Sequence, residues 1–502
     1  MLNSKEQFMK EEGTAFPGKT YVETLLKPLF NDQKNHLFDV MFRIHRAHVV
    51  MLAEQGILTK QEAKTILTGV NKVAEIDHKT IEYSPEFEDL FFMMEFKIGE
   101  EVGSDLAGKM HIARSRNDMG EAMYRLVLRD LLLDGIHQMA LLGSVLLEQA
   151  EVHLDTILTA HTHTQPAQPT TLGHYLTAIY DVVERDIVRF WNAFETVNRS
   201  PMGAAAITTT GFPINRERVC ELLGFDGIME NSYDAIGGGD YLLDSATVII
   251  TAMTNTGRWV QDFLKFATTE FGILQVADPY VQISSIMPQK RNPVSIEHSR
   301  SLASSAVGEA LSVVQMIHNT PYGDIVDTED DLQPHLYRGF EKSSRVFKLM
   351  RAVITTMIVD KDKAKQRTYE SCITITELAD ELARHHQVPF RTAHKIASLV
   401  ANQTMAEKKI LSDWKVDEIN TIIIEQTGTD AAKLTEKQWQ AIICPEMFVR
   451  RRSIRGGPNP LEVKRMIATR KVELNSHIKR YQEITSELLK RNEKLMRIKL
   501  HS

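Results

Sequence analysis

Between Ser284 and Asn292 the chain places two small hydroxyls, Ser284 and Ser285, a lysine, Lys290, and an amide, Asn292, inside a turn-rich break from Gln282 to Pro293. A serine hydroxyl is a poor base. It can take a carbon-bound proton only where backbone N–H groups and a nearby cation stabilise the alkoxide, and a tight loop carrying Lys290 could supply both. An arbitrary Ser-Ser pair is more often a turn or a helix cap. A second group, Ser115-Arg116-Asn117, combines a planar guanidinium, able to grip a carboxylate through two parallel hydrogen bonds, with a neutral donor. The bland reading of an Arg-Asn pair before a helix is again a cap or a surface pair. A third stretch holds His161 and His163, and an imidazole transfers protons near neutrality when an acid fixes its tautomer. Two histidines two residues apart, without a cysteine or an acid cluster, are a weak zinc signal, so no metal is expected.

These groups are far apart in sequence, so rigid elements must bring them together. The clearest element is marked by Leu172, Leu176, Ile179, Val183, Ile187, Phe190, Phe194 and Val197, which recur in steps of three and four and predict one buried helix face. Asp181, Glu184, Arg185, Asp186 and Arg189 fall between them and suit a solvated or ion-paired side. Similar periodicity predicts helices over about 119–153 and 241–273, and a charged, helix-forming tail runs from Leu461 to about Leu500 after Gly456-Gly457-Pro458-Asn459-Pro460. Long proline-free stretches with little alternation favour an all-α bundle over a sheet. The candidate groups all lie in the turn-rich breaks between such helices, where chemistry is commonly sited.

With 502 residues, 43% hydrophobic and 25% charged, the composition is that of an ordinary globular protein. A net charge of -7 without a basic block leaves no footprint for nucleic acid, and Arg450-Arg451-Arg452 reads as a solvated or ion-paired surface. Three scattered cysteines, Cys220, Cys372 and Cys444, suggest neither a disulfide framework nor a zinc site. The opening Met1-Leu2-Asn3-Ser4-Lys5-Glu6 lacks a secretory apolar stretch, and no run reaches the length of a membrane span. A small-molecule partner, no membrane and a cytoplasmic setting are expected.

Ser284-Ser285-Ile286-Met287-Pro288-Gln289-Lys290-Arg291-Asn292-Pro293 resembles the long signature loop of the fumarase/aspartase superfamily, with Ile283 where a glycine usually precedes the serines. Gly108-Lys109-Met110-His111-Ile112-Ala113-Arg114-Ser115-Arg116-Asn117-Asp118 looks like the Ser-Arg-Asn segment of its argininosuccinate lyase branch, and Thr162-His163-Thr164-Gln165-Pro166-Ala167-Gln168-Pro169 like its Thr-His-x-Gln-x-Ala-Gln-Pro element. Further similar stretches, among them Gly211-Phe212-Pro213-Ile214-Asn215-Arg216 and Val388-Pro389-Phe390-Arg391-Thr392-Ala393-His394, extend the likeness over most of 85–460. The resemblance implies a long-helix bundle with smaller helical domains at either end, here 1–112, 113–366 and 367–502. It also implies a homotetramer whose active sites are each assembled from three chains. The implied activity is elimination of fumarate from an N-substituted aspartate, needing no cofactor.

On the same likeness, Ser284 corresponds to the base, His163 to the group that helps protonate the leaving amine, Glu297 to its orienting acid, and Lys290 to a carboxylate holder. Ser115, Arg116, Asn117, Thr162, Gln165, Ser285, Met287 and Asn292 correspond to substrate-binding positions. The amine end departs from the pattern: His45 stands in place of a serine, Phe91 of a histidine, Asp324 of a tyrosine, Glu329 of a glutamine and Gly238 of an arginine. The acids suit a cationic amine and the bases an extra carboxylate. Three functions therefore follow as expectations: argininosuccinate lyase, a sibling lyase for another N-substituted aspartate such as ethylenediamine-N,N'-disuccinate, or a silent structural protein like the lens crystallins of the family.

Overall fold

The apolar stripes become five long helices packed side by side. In the computed structural model, which describes residues 4–498, these are α1 (Arg116–Val152), α2 (Leu172–Val197), α3 (Asp240–Ala267), α4 (Val294–Ile317) and α5 (Gln333–Thr356). α1 packs along α2, α3 joins α2 to α4, and α5 closes the bundle against α4 and α1. All eight stripe residues of α2 are buried, as their spacing predicts. Asp186, expected on the wet side, is buried too, because Arg189 at 2.6 Å and the amide of Asn255 satisfy its carboxylate. Among the described residues β structure is confined to three two-stranded pairs and one isolated bridge between Ser200 and Ile228, so the all-α expectation holds.

α1, with 37 residues and about 55 Å long at 1.5 Å per residue, is apolar enough by length and composition to cross a membrane. It is instead the central helix of the bundle, with 61% of its most apolar window buried inside the protein. Its buried cations are matched by uncharged acceptors: Arg129 donates to the Asn198 side-chain Oδ1 at 3.1 Å and to the main-chain carbonyls of Leu223 and Gly224, the free carbonyl end of the helix Arg216–Leu223.

One apolar core runs from Phe30 to Ala364, and a second closes around Leu378 to Ile443. The charged tail is α6 (Pro460–Arg497), which returns to the first core through Val463, Met466, Ile467, Leu474 and Leu495 and lies along α1 and α2. It covers the polar side of α2: Arg470 binds Asp181 in a two-pronged pair at 2.5 and 2.6 Å, and Arg480 reaches Glu195 at 2.8 Å. The expected end of this helix near Leu500, like Met1 to Asn3, lies outside the described residues. Of the arginine triplet, Arg450 is exposed, whereas Arg451 and Arg452 pair with the fully buried Glu377, which Arg384 also binds.

Candidate active site

The N-terminus of α1 is built by its own sequence. Ser115 is the N-cap: its hydroxyl accepts the Asn117 N–H at 3.3 Å and donates to Asn117 Oδ1 at 2.8 Å, while Asp118 Oδ1 accepts the Ser115 N–H at 2.9 Å. The capping reading of this segment is therefore correct in structure, and it coexists with a placement suited to binding. Asp118 also accepts the N–H groups of Gly203 and Ala205 at 2.9 and 3.0 Å, and Asn117 donates to the Ala206 carbonyl, so the loop after α2 is stapled to the start of α1. Burial pushes the Asp118 carboxyl up to about 6, opposed by those three amides and by Arg114. Sequence reasoning overlooked Asp118, although an acid three residues after an N-cap serine is a readable box signal.

Arg116 points into a cavity of about 270 Å³ between the start of α1, the segment around 88–91 and the loop 324–330. Its guanidinium lies on the Phe92 ring and pairs with Asp89 at 3.0 Å and Glu88 at 3.5 Å. Asn117, Phe91, Asp324 and Glu329 line the same cavity, so these expected positions meet within one chain. Glu121, Asp330 and Asp89 join them, acids that sequence reasoning did not single out. Glu121 sits on α1 one turn beyond Arg116 and Asn117, which was the signal available.

His45 is not at this wall. It is fully buried behind Phe91, with ring centroids 5.9 Å apart, in a group with His48, His111 and Arg114. Burial, then Arg114, holds it well below the usual imidazole range, so its ring is neutral. The loop carrying Asp324 is fixed at both ends: Tyr322 donates to Asp234 at 2.6 Å and stacks on Tyr233, and Gln33 donates to Asp330 at 3.2 Å. Gly238 sits beside that anchor, where a Cβ would come within 2.7 Å of the Asp234 carbonyl.

The other two segments form hairpins. β1 (Ile157–Thr162) and β2 (Gln165–Thr171) pair antiparallel, and His163 and Thr164 make the two-residue turn with φ of 50° and 63°. Two left-handed residues match the turn type that suits strand twist, at a cost of about 1 kcal/mol or more each for non-glycines. The hairpin stem is held by Thr159, bonded to Thr368 at 3.1 Å, while Thr162, His163 and Gln165 are exposed. His163 makes no hydrogen bond to Glu297 within the chain.

β3 (Gln282–Ile283) and β4 (Arg291–Asn292) bracket the serine loop. Ser284 Oγ accepts the N–H of Met287 at 3.0 Å and of Ile286 at 3.4 Å, the loop amides that an alkoxide needs. Arg291, bonded to Asp278 at 2.5 Å and to the Val276 carbonyl, ties the base of the loop. Met287, Lys290, Asn292 and Glu297, the last in the first turn of α4, face a wide groove of about 870 Å³ that also exposes Lys265 and Arg300. Ser285, Met287 and Lys290 are exposed. The cavity beside Arg116 and the groove beside Lys290 share no lining residue, and His163 lines neither.

Residues 30–308 match the lyase family model and residues 372–450 the argininosuccinate lyase C-terminal model. Argininosuccinate lyase 2 of Agrobacterium fabrum is 41% identical over 468 residues, 93% of each chain. Argininosuccinate lyase of Methanosarcina mazei is 35% identical, over 87% of this chain and 88% of its own. Among solved structures, an EDDS lyase in complex with formate superposes with a TM-score of 0.85 at 31% identity, covering 98% of this chain and 97% of that one. A class II fumarase from Schistosoma mansoni, 16% identical with a TM-score of 0.66 over 82% of this chain and 90% of its own, shares the fold. Matches of this extent, carried by a helical bundle with the three motif segments at its loops, place the chain in the argininosuccinate lyase branch of the fumarase/aspartase superfamily.

Proposed function

We propose that this chain is a C–N lyase that releases fumarate from an N-substituted aspartate by β-elimination. The observation that carries the reading is the Ser284 hydroxyl, aimed at by the Met287 and Ile286 amides in a loop that also holds Lys290. Ser284, as alkoxide, takes a proton from the carbon beside one carboxylate, and Lys290, Asn292 and the loop amides hold the doubly charged aci-carboxylate that results. Arg116, Asn117 and Thr162 fix the other carboxylate, with Ser115, Gln165, Ser285 and Met287 completing the wall. Collapse breaks the C–N bond while His163, oriented by Glu297, assists proton delivery to the leaving amine. The products are fumarate and an amine.

Because the serine loop and the histidine turn project from the chain and lie apart from the cavity beside Arg116, the reading includes their assembly from neighbouring chains of a homotetramer, a soluble cytoplasmic enzyme. Argininosuccinate is the first substrate to test, given relatives named argininosuccinate lyase at 41% and 35% identity. Ethylenediamine-N,N'-disuccinate is the second, given the structural likeness to EDDS lyase and the altered positions Phe91, Asp324 and Glu329 around the cavity. Fumarate release is followed by ultraviolet absorbance on a panel of N-substituted aspartates. Activity without argininosuccinate turnover removes the first substrate, and silence on the whole panel would favour a structural protein. Asp324→Tyr is expected to change the amine preferred more than the affinity for fumarate, and equal effects would displace Asp324 from the amine end.

A further inference from the structure

We infer that the protein has a second small-molecule site, apart from the serine chemistry, which takes a free α-amino acid. It is a cavity of about 660 Å³ between the helices Phe38–Glu54 and Lys60–Ala74, the middle of α1 and the last turns of α6. Asp130, on its α1 wall, stands about 21 Å along the helix from Arg116 at 1.5 Å per residue. This cavity and the one beside Arg116 share no lining residue.

Two arginines in its wall point to a ligand. Arg43 and Arg46 stand one turn apart on one face of Phe38–Glu54, and among the described residues neither is paired with a carboxylate. Arg46 is 5% exposed, yet it makes a single long hydrogen bond, from Nη1 to the Met496 carbonyl at 3.4 Å. The Nε of Arg43 is buried with no acceptor. Arg129, by contrast, is met by three oxygens, and Arg451 and Arg452 by Glu377. Neighbouring guanidiniums that have lost hydration repel each other, and an oxyanion held between them offsets both costs. Asn71 and Asn492 bring side-chain amides to the same cavity from two further helices, the carbonyl oxygen of each without a donor.

The charges of the cavity are segregated. Arg46 is buried and Arg43 half-buried, whereas Asp39 and Asp130 are exposed at the mouth, and these are the acids whose fields reach Arg43. Asp130 is held only by Arg129, at 3.7 Å. His36, also at the mouth, leans on the Tyr337 ring, and partial burial holds it below the usual imidazole range, so the standing positive charge is that of the two arginines. A plain anion would meet the arginines and be opposed by the acids. An α-amino acid carries its ammonium one carbon from its carboxylate and engages both. Val40, Phe42, Val70, Val127 and Leu131 line the rest, an apolar wall for an aliphatic side chain.

The test is calorimetry on the intact protein with three probes of one shape: L-leucine, 4-methylpentanoate, which lacks the ammonium, and 3-methylbutylamine, which lacks the carboxylate. Leucine is expected to bind saturably at about millimolar concentration. The carboxylate should bind about threefold more weakly, because the acids at the mouth are solvated, and the amine at least about tenfold more weakly. Arg43→Gln, at a half-buried position, should weaken leucine about tenfold with an ordinary melting transition, even if Arg46→Gln does not fold. In the double variant Asp39→Asn/Asp130→Asn leucine should lose its advantage over 4-methylpentanoate. Arg116→Ala should bind leucine as the unaltered protein does. No saturable leucine binding, an amine that binds as tightly as leucine, or 4-methylpentanoate binding at least as tightly each overturns the inference. So does leucine binding that survives Arg43→Gln and is lost in Arg116→Ala, since the amino acid would then sit in the cavity beside Arg116.

Discussion

The start of α1 and the two hairpins are both assigned to one reaction, yet they are made in opposite ways. Around Ser115 to Asp118 nearly every polar group is already committed: an N-cap, three amides on Asp118, and an ion pair from Arg116 to Asp89. His163 stands at an exposed turn and Ser284 is half-buried at the foot of a projecting loop, which shows solvent the apolar Ile283 and Ile286, 75% and 82% exposed. A pocket that must recognise carboxylates and an amine gains from groups locked before binding. On the proposed reading the base meets the substrate from a neighbouring chain, and it is carried on a short projecting loop between two paired strands. The difference teaches that the binding half is pre-built by packing within one chain, whereas the chemical half is delivered by loops.

That division can be broken most sharply at Ser284. Replacing it by Ala is expected to lower kcat by about 10³-fold, within the range of a lost general base, with substrate binding and oligomeric state unchanged. Single-turnover fumarate release and gel filtration check both, and substantial residual turnover would take Ser284 out of the role of base. The next largest effect is gained rather than lost. Mixing Ser284→Ala chains with Arg116→Ala chains, each inactive alone, should restore turnover after subunit exchange if one chain supplies the serine and another the arginine. Mixtures as dead as their parents would mean that each site is closed within one chain.

The chemical half was more legible in the sequence than the binding half, because its residues are contiguous. Ser284, Lys290 and Asn292 fall in one loop, and Thr162, His163 and Gln165 in one turn, so a linear motif contains them. The long helices were legible for the same reason: the stripe from Leu172 to Val197 has the period of the face it buries. The cavity beside Arg116 was not. It joins Glu88 and Asp89, Glu121, and Asp324 to Asp330, stretches that only the packing of the bundle brings together. His45 illustrates the converse, since its position in the sequence pointed to the substrate while the ring of Phe91 separates it from the cavity.

Glu329 allows the binding half to be titrated. Its carboxyl is raised to about 9 by burial, then by Asp324, with Asp330 and Glu121 adding to the repulsion. A folded-state value above the unfolded one means a contribution to stability that is full below the usual carboxylate range and is lost as pH rises toward 9. The Tm of the unaltered protein should therefore fall relative to that of Glu329→Gln between pH 5 and pH 9, by a few degrees. Adding a cationic substrate should narrow the gap, because the cation favours the ionised acid. A Tm difference independent of pH would show that Glu329 ionises freely, and the pocket would then be no more pre-built than the hairpins.

The smallest effect is expected at Tyr322, whose hydroxyl anchors the Asp324 loop to Asp234 through one partly solvated hydrogen bond of 2.6 Å. Tyr322→Phe keeps the stacking on Tyr233 and deletes only that bond, worth about 0.5–1.5 kcal/mol. If the loop belongs to the binding half, the loss should appear as a rise of about two- to fivefold in KM for the amine-bearing substrate, with kcat unchanged. Tyr322→Ala, which also removes the stacking, should extend the rise in KM without changing that pattern. A fall in kcat with KM unmoved would mean that the loop acts on the reacting centre, and the line drawn between the two regions would have to be moved to include it.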